Sequence, residues 1–523
     1  MSGQMIDERY MKDNMISKEF DSEKRNFWFD MKQKKFLHNI DTLYYTVKLA
    51  NDFTKDTDDT NVLSFINEFE KKKKTKYYTD NISVSIPKIN IINYLPNMSF
   101  GFYNVWFEVP EQFDIIFATY VPCSQSGISH TPEITVQIRS YPLWIYGPVI
   151  AYEQSINIVK AMCQYYGFEI LEVKENRFDF CWHTNYIQNP EQYFNPWNLS
   201  KMIVSQFKRG ELSWAYKPKD EIEPDYLRHG KRGGKVFNRI YLKTKEVIER
   251  GYKPWFLKLW QLNGLISRYD LFVLEEAFQH HSWNNVNISR LKFYVENGSD
   301  KSLIEQCRQL LDNEKTIAPD TLQDLADMLT PRITIITNIE YQVMRKATKS
   351  YPIIQIADNS KYGIEKRMYD FFDNRTLITR YLTHDILRLV ETGNKVKDTN
   401  KSRREYNAFW SSLRSTKQVD CKFSRKDISF IRTYNKQLNG DIMKKKLLHS
   451  VIVYGIYNKG INEDDVLSDC AEALLRLNDN DIDDMKRYKK KKSRQFNVNE
   501  LAGLNKTDAK QFYVVDEDGQ IIS

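Results

Sequence analysis

Three strand-like runs each set a cation and an acid or hydroxyl into an apolar alternation, and this pattern constrains the fold more than any other feature. They are Arg177-Phe178-Asp179-Phe180, Arg239-Ile240-Tyr241-Leu242-Lys243-Thr244-Lys245-Glu246 and Arg268-Tyr269-Asp270-Leu271. Side chains alternate across a strand with period two, so Arg239, Tyr241 and Lys243 share one face of the middle run. An unpartnered acid in the middle of an apolar strand is costly to bury. Asp179 and Asp270, each two residues after an arginine, therefore require an ion pair or a metal. Three such segments can converge on one face of a sheet.

Around these runs the chain reads as strands first and helices later. Asp41 to Val47, Phe100 to Phe107, Phe113 to Tyr120 and Ile134 to Ile138 are rich in β-branched and aromatic residues, with Pro, Gly and Asn between them. Ala151 to Tyr166 places Ile156, Ile158, Val159 and Met162 near helical spacing and stops at Gly167, a natural left-handed helix end. A strand–helix–strand unit beside antiparallel strands predicts an α+β fold. Pro190 to Val204 reads as helix, and helical spacing dominates beyond about Ser282. Segments there include Ser302–Leu311, Pro319–Met328, Tyr341–Thr348, Thr376–Glu391, Arg403–Arg414, Met443–Tyr457 and Asp464–Leu477. The expected organisation is a loosely held polar arm over 1–35 and an α+β domain, mainly antiparallel sheet, over 36–285. A mostly helical C-terminal region over 286–480 and a basic, then polar, tail over 481–523 follow.

Composition narrows the function classes. Lys and Arg number 77 against 69 Asp and Glu, a net charge of +8, so the placement of the cations matters more than their total. They concentrate in Ser205–Arg239, where Lys208, Arg209, Arg228, Lys231, Arg232 and Lys235 are interleaved with Gly230, Gly233 and Gly234. That segment is the predicted DNA-facing surface. Lys71 to Lys74 form a second basic run, expected as a solvated loop or strand edge or as a phosphate contact. Six cysteines lack the spacing of a zinc knuckle or redox motif. No stretch of about 18 apolar residues is present, so a cytoplasmic protein with reduced thiols and no membrane span is expected.

A phenol is a weak nucleophile near neutral pH because its pKa is about 10. Cations such as Arg239 and Lys243 lower it, and a divalent ion bound by Asp179 and Asp270 would polarise a phosphate. Oxygen ligands favour Mg2+ or Mn2+, and His183, four residues after Asp179, could add a nitrogen. A half-buried strand tyrosine between solvated cations, structural ion pairs and a surface histidine account for the same residues.

The three segments, in this order, resemble the replication initiation factor (Rep trans) family, the rolling-circle initiators of small plasmids. That family carries an Arg-apolar-Asp strand, then an aromatic-x-Arg-Ile-Tyr-x-Lys strand with an acid shortly after, then an Arg-apolar-Glu strand. Here these are Arg177-Phe178-Asp179, Phe237-Asn238-Arg239-Ile240-Tyr241-Leu242-Lys243 with Glu246, and Arg268-Tyr269-Asp270. The resemblance covers roughly residues 130–280. It implies a nicking domain in which Tyr241 is the nucleophile and Asp179 and Asp270 hold the metal. Arg239, Lys243 and Glu246 would support the site, Glu246 as a further metal ligand. Asp270 departs from the family's Glu, and His183 stands where a second Asp is common. His280-His281 are adjacent, which argues against the class of nickases that uses two histidines flanking one apolar residue. The implied function is rolling-circle initiation for a plasmid, integrative element or phage. Its partners would be an origin hairpin or single-stranded region, a host helicase and polymerase, and a second copy in a homodimer. A non-catalytic origin-binding regulator and a conjugative relaxase are the alternatives.

Overall fold

In the computed structural model the described residues are 514–515, 521–522 and 20–417, the last without the short stretches 21, 30–34, 76–81, 87–91, 124–128, 189–192, 194–195, 208–211, 214–224, 251–252, 313–318, 349–361 and 393–399. Two compact units divide the chain: Met1–Lys349 with Gln355–Ile428, and Ser350–Ile354 with Ser429–Ser523. Within the second, Val514–Val515 and Ile521–Ile522 pair antiparallel. The expected helices Met443–Tyr457 and Asp464–Leu477 lie outside the described residues.

The first unit is α+β. Its strands are β1 (Phe36–Leu49), β2 (Ile82–Ser83), β3 (Asn93–Tyr94), β4 (Tyr103–Val109), β5 (Phe113–Ala118), β6 (Ile134–Ile138) and β7 (Ile170–Thr184), then β8 (Ile203–Ser205), β9 (Leu212–Ser213), β10 (Asp225–His229), β11 (Val236–Leu242), β12 (Thr337–Met344) and β13 (Leu387–Leu389). Eleven of them form one sheet in the order β2-β3-β4-β5-β6-β1-β7-β12-β11-β10-β9, every pair antiparallel, while β8 and β13 form a separate ladder. The long β1–β7 pair forms its backbone, broken by a bulge between Ile40 and Thr42 that sets Asp41 out of register.

Each face of the sheet has its own cover. Phe178, Phe180, Trp182, Ile339, Tyr341 and Val343 are buried on one side. There Phe371, from helix Lys366–Asp373, lies 4.4 Å from Phe178, and Tyr152, from helix Pro148–Tyr166, lies 5.2 Å from Tyr45. On the other side an apolar cluster including Trp144, Cys181, Phe256, Trp260, Tyr269 and Phe293 packs the helices Trp255–Leu262, Arg268–Gln279 and Asn285–Asn297. At about 25 cal/mol per Å2 of apolar area removed from water, such aromatic side chains dominate the stabilisation.

Several expectations change. Ser267–Leu274 is not a strand: Arg268–Gln279 is a helix, opened by a capping box between Ser267 and Asp270. Tyr341–Thr348 is half strand, half helix: Tyr341–Met344 belongs to β12 and the helix is Arg345–Thr348. Thr376–Glu391 divides into helix Arg375–Tyr381, a π turn Leu382–Ile386 and β13. The boundary at 285/286 does not separate sheet from helices, because β12 inserts between β7 and β11. The described part of the arm is docked: Phe20 is buried, and Trp28 stacks edge-on against Phe293 at 5.1 Å. Lys71 to Lys74 end the helix Thr60–Thr75, where Lys72 pairs with Glu68 at 2.5 Å. No helix among the described residues is long and apolar enough to cross a membrane.

Candidate functional site

Strand register assembles the site. Across β11 and β12, Arg239 faces Glu340 and Tyr241 faces Asn338. Across β12 and β7, Glu340 faces Cys181, Asn338 faces His183 and Gln342 faces Asp179. Directly opposed residues point to the same side of a sheet, so all of these share one face. β10 adds Arg228 opposite Arg239.

Tyr241 is at the centre. Its hydroxyl donates to Glu340 Oε2 at 3.0 Å and accepts from Asn338 Nδ2 at 2.9 Å and Lys243 Nζ at 3.3 Å. Arg239 binds the other oxygen of Glu340 at 2.5 Å, and its guanidinium lies 5.1 Å from the centre of the Tyr241 ring. Lys243 Nζ also reaches Glu246 Oε2 at 2.6 Å. Tyr241 is 2% exposed, whereas the Arg239 and Arg177 side chains are each 26% exposed and mark the solvent edge of the face. The phenol thus lies beneath Arg239 and level with the equally buried Lys243, among polar groups rather than grease.

The charges order themselves by what surrounds each group. Burial, then the charges of Glu246 and Glu340, push the Tyr241 phenol well above its ordinary value, against Lys243 and Arg239. Burial acts to deprotonate Lys243, but Glu246, Tyr241 and Asp41 outweigh it and hold the ammonium well above its ordinary range. Glu246 is buried too, yet Lys243, Arg250 and Lys253 keep its carboxyl below the usual glutamate range. Asp179 goes the other way: burial lifts it to about 6, although Arg177 Nε and Nη2 clasp its oxygens at 3.0 and 2.5 Å. Desolvation here exceeds the pair's attraction.

The structure places the other expected residues less centrally. Asp270 belongs to a helix cap: Oδ2 accepts from Ser267 N at 2.7 Å, Ser267 Oγ at 2.8 Å and Thr334 Oγ1 at 2.9 Å, while Oδ1 accepts from Thr334 N at 2.8 Å. Its carboxylate is spent on backbone and hydroxyl donors, which overturns the reading of Asp270 as a ligand on a third strand. His183 accepts from Trp260 Nε1 at 3.1 Å and stacks on Trp144; burial and then Lys243 hold its pKa well below the ordinary range. It is a buried, neutral ring rather than a surface residue. Asp179, Asp270, His183 and Glu246 do not gather into one ligand set, and among the described residues no group of three or more His, Cys, Asp or Glu is placed to hold a metal ion. The expected Mg2+ or Mn2+ ligand set does not fit this arrangement, so no step below passes through a metal.

Of the predicted DNA-facing cations, Lys208 and Arg209 lie outside the described residues. Lys231, Arg232 and Lys235 are exposed on the turn joining β10 and β11, and Arg228 is half-buried. Gly230 opens that turn at φ 81°, where a Cβ would meet Phe207 at 2.6 Å and the Val236 carbonyl oxygen at 2.8 Å.

Sequence reasoning missed Glu340, Asn338 and Asp41. The first two alternate with Ile339 and Tyr341 in Asn338-Ile339-Glu340-Tyr341-Gln342-Val343, a period-two signal that the helical reading from Tyr341 onward obscured. Asp41, on the β1 bulge, accepts from Trp144 Nε1 at 2.9 Å and lies 3.7 Å from Lys253 Nζ.

No protein-family description matches the chain, and no curated protein does. Among solved structures the chain is similar to a rolling circle replication initiator protein from Geobacillus stearothermophilus, with 10% identity and a TM-score of 0.32 over 72% of this chain and 95% of that one. A superposition that loose transfers no residue from one protein to the other.

Proposed function

We propose that the protein is a DNA replication initiator of the rolling-circle kind that cuts and rejoins one strand at an origin through Tyr241. The single observation that carries the reading is the phenol itself, hydrogen-bonded to an acid that can take its proton and to an ammonium that can steady the resulting oxygen. Tyr241 Oη would attack the scissile phosphorus, its proton passing to Glu340. The P–O3′ bond breaks, the 3′ oxygen takes a proton from water, and a 5′-phosphotyrosine remains. The free 3′-hydroxyl is then a primer end for a polymerase, and its attack on the phosphotyrosine reverses the sequence. Positioning and charge stabilisation supply most of the rate in such transfers.

Burial of the phenol sets a condition. A phosphate must enter from the edge marked by Arg177 and Arg239, and it would draw Arg239 away from Glu340 to itself. Lys235, the nearest exposed cation of the β10–β11 turn, lies about 20 Å along β11 from Tyr241 at about 3.3 Å per residue, within reach of the same bound strand.

A second reading has its own support: the phenol's donor and acceptor positions are all filled, as in a structural tyrosine of a non-catalytic origin-binding protein. One assay separates the two. Supercoiled plasmid carrying the origin is incubated with the protein in Mg2+, in Mn2+ and in chelator. Relaxed DNA covalently attached to the protein, and lost in Tyr241→Phe, supports the initiator. Nicking that survives Tyr241→Phe removes Tyr241 from the chemistry, and salt-sensitive binding with no nicking under any condition supports the regulator.

A further inference from the structure

The face of the sheet away from Tyr241 carries a group of arginines that strand cutting does not use. Tyr341 follows Glu340 on β12 and so points to that face, where its hydroxyl donates to the Leu387 carbonyl on β13 at 3.3 Å. Next along β13, Arg388 donates from Nη1 to the His384 carbonyl at 2.5 Å and from Nη2 to the Ser402 carbonyl at 2.8 Å. Arg414, on helix Ala408–Ser415, lies with Nη1 3.3 Å from His384 Nδ1 and with its guanidinium 4.3 Å from the centre of the Tyr406 ring. Both arginines are half-buried.

Their partners are carbonyl oxygens, one imidazole nitrogen and one ring face. No carboxylate of the described residues lies within ion-pair distance of either. Guanidinium groups withdrawn from water ordinarily take a carboxylate or phosphate partner. The surroundings add cations: Arg388 holds the turn Lys401–Arg403 through the Ser402 carbonyl, Arg404 follows that turn, and Arg380 is near enough to act on Arg414. Burial, then Arg380, press Arg414 down to about 10, with Arg388 adding to the repulsion and Asp385 opposing it. Like charges held together in this way favour an incoming anion.

We propose that Arg388 and Arg414, with the Lys401–Arg404 turn beside them, form a second nucleic-acid contact that grips backbone phosphates flanking the cut site. The guanidinium fork matches two phosphate oxygens, and charge-assisted bonds of this kind are the strong ones. The inference rests on the protein being a nucleic-acid binder. It adds that the origin strand is held on both faces of the sheet, so it predicts dependence on DNA outside the hairpin that is cut.

The test uses the full-length protein, a short origin hairpin and the same hairpin with flanking arms, followed by fluorescence anisotropy across a salt series. The double variant Arg388→Gln/Arg414→Gln is expected to bind the armed probe at least tenfold more weakly at low salt. Its log–log salt slope should be shallower by about 0.7 for each single-strand phosphate lost, or about 0.9 on duplex. Binding and cutting of the short hairpin should be unchanged, and Arg388→Lys/Arg414→Lys should restore most of the slope. Circular dichroism melting checks that each variant folds; if the double variant melts early, Arg388→Gln alone should lose about half as much slope. An unchanged slope and affinity in a folded variant overturns the proposal. So does competition by inorganic phosphate as effective as by oligonucleotide, which would make this a small-anion site. Wild-type protein that binds the armed probe but never cuts it refutes the Tyr241 chemistry while leaving this contact to be decided by its slope.

Discussion

Glu340→Gln is the most informative single change. The side chain keeps its shape and can still accept the Tyr241 proton donor at 3.0 Å, but it loses the charge that meets Arg239 at 2.5 Å. Losing a charge-assisted hydrogen bond costs about 1.5–3 kcal/mol. Relief of a desolvated carboxylate, 3% exposed here, offsets a comparable amount. The two nearly cancel, so the melting temperature should move by only a few degrees, since roughly 1 kcal/mol shifts a domain of about 150–250 residues by about 2–4 °C. Activity should behave differently, because removing a general base costs roughly a hundredfold to ten-thousandfold. Glutamine cannot take the phenol's proton, so the residual rate should climb with pH as solvent hydroxide replaces the missing acceptor. Single-turnover cutting of a labelled hairpin between pH 6.5 and 9.5 gives the profile, and circular dichroism gives the stability. A rate within threefold of wild type in a normally folded variant refutes Glu340 as the proton acceptor and with it the proposed course of attack.

Asp270→Ala should destabilise by about 3 kcal/mol, from a lost cap and a stranded Thr334 N–H, while cutting per folded molecule stays near wild type; lost cutting at normal stability would restore Asp270 to the site. Acid should destabilise the fold below about pH 6.5, because burial holds His38 and His229 down to about 3 in the folded chain while the unfolded chain protonates near 6.5. Each contributes up to about 1.4 kcal/mol per pH unit. Asp179, raised to about 6, opposes this by gaining stability as pH falls through 6. Melting temperature at pH 7.5 and 5.5 reads the net loss, and no loss would contradict neutral burial. Neutralising Lys231, Arg232 and Lys235 together should flatten the salt slope of binding by about 0.9 per duplex phosphate contact while leaving the cutting rate at saturating protein unchanged. A fall in rate at saturation would place the turn in the chemistry instead.

Local signals carried much of the architecture. β6 coincides with its β-branched run, the strand-like run from Arg239 is strand as far as Leu242 and helix from Lys243, and Gly167, at φ 70°, ends the helix Pro148–Tyr166 as its type suggests. Arg239 and Tyr241 do share a face with Asp179, whereas Lys243 opens the helix Lys243–Arg250 and reaches the Tyr241 hydroxyl from there rather than by strand alternation. What failed was decided by tertiary context. Arg268-Tyr269-Asp270-Leu271-Phe272-Val273 has strand-like residues, but Ser267 three places before Asp270 is a capping signal, and the apolar cluster accepts the segment as a helix. Glu340 stayed hidden because its meaning depends on a pairing with β11 that is separated by about a hundred residues of chain, and nothing local marks which strand fills the centre of a sheet.

The late arrival of β12 has a consequence for biosynthesis. Until residues 337–344 leave the ribosome, β7 is paired only with β1 and β11 only with β10, so each presents an unsatisfied edge. Tyr241 meanwhile lacks both Glu340 and Asn338, so a nascent chain already carrying its nucleophile would be chemically silent. A fragment ending near 285 should accordingly aggregate rather than cut DNA.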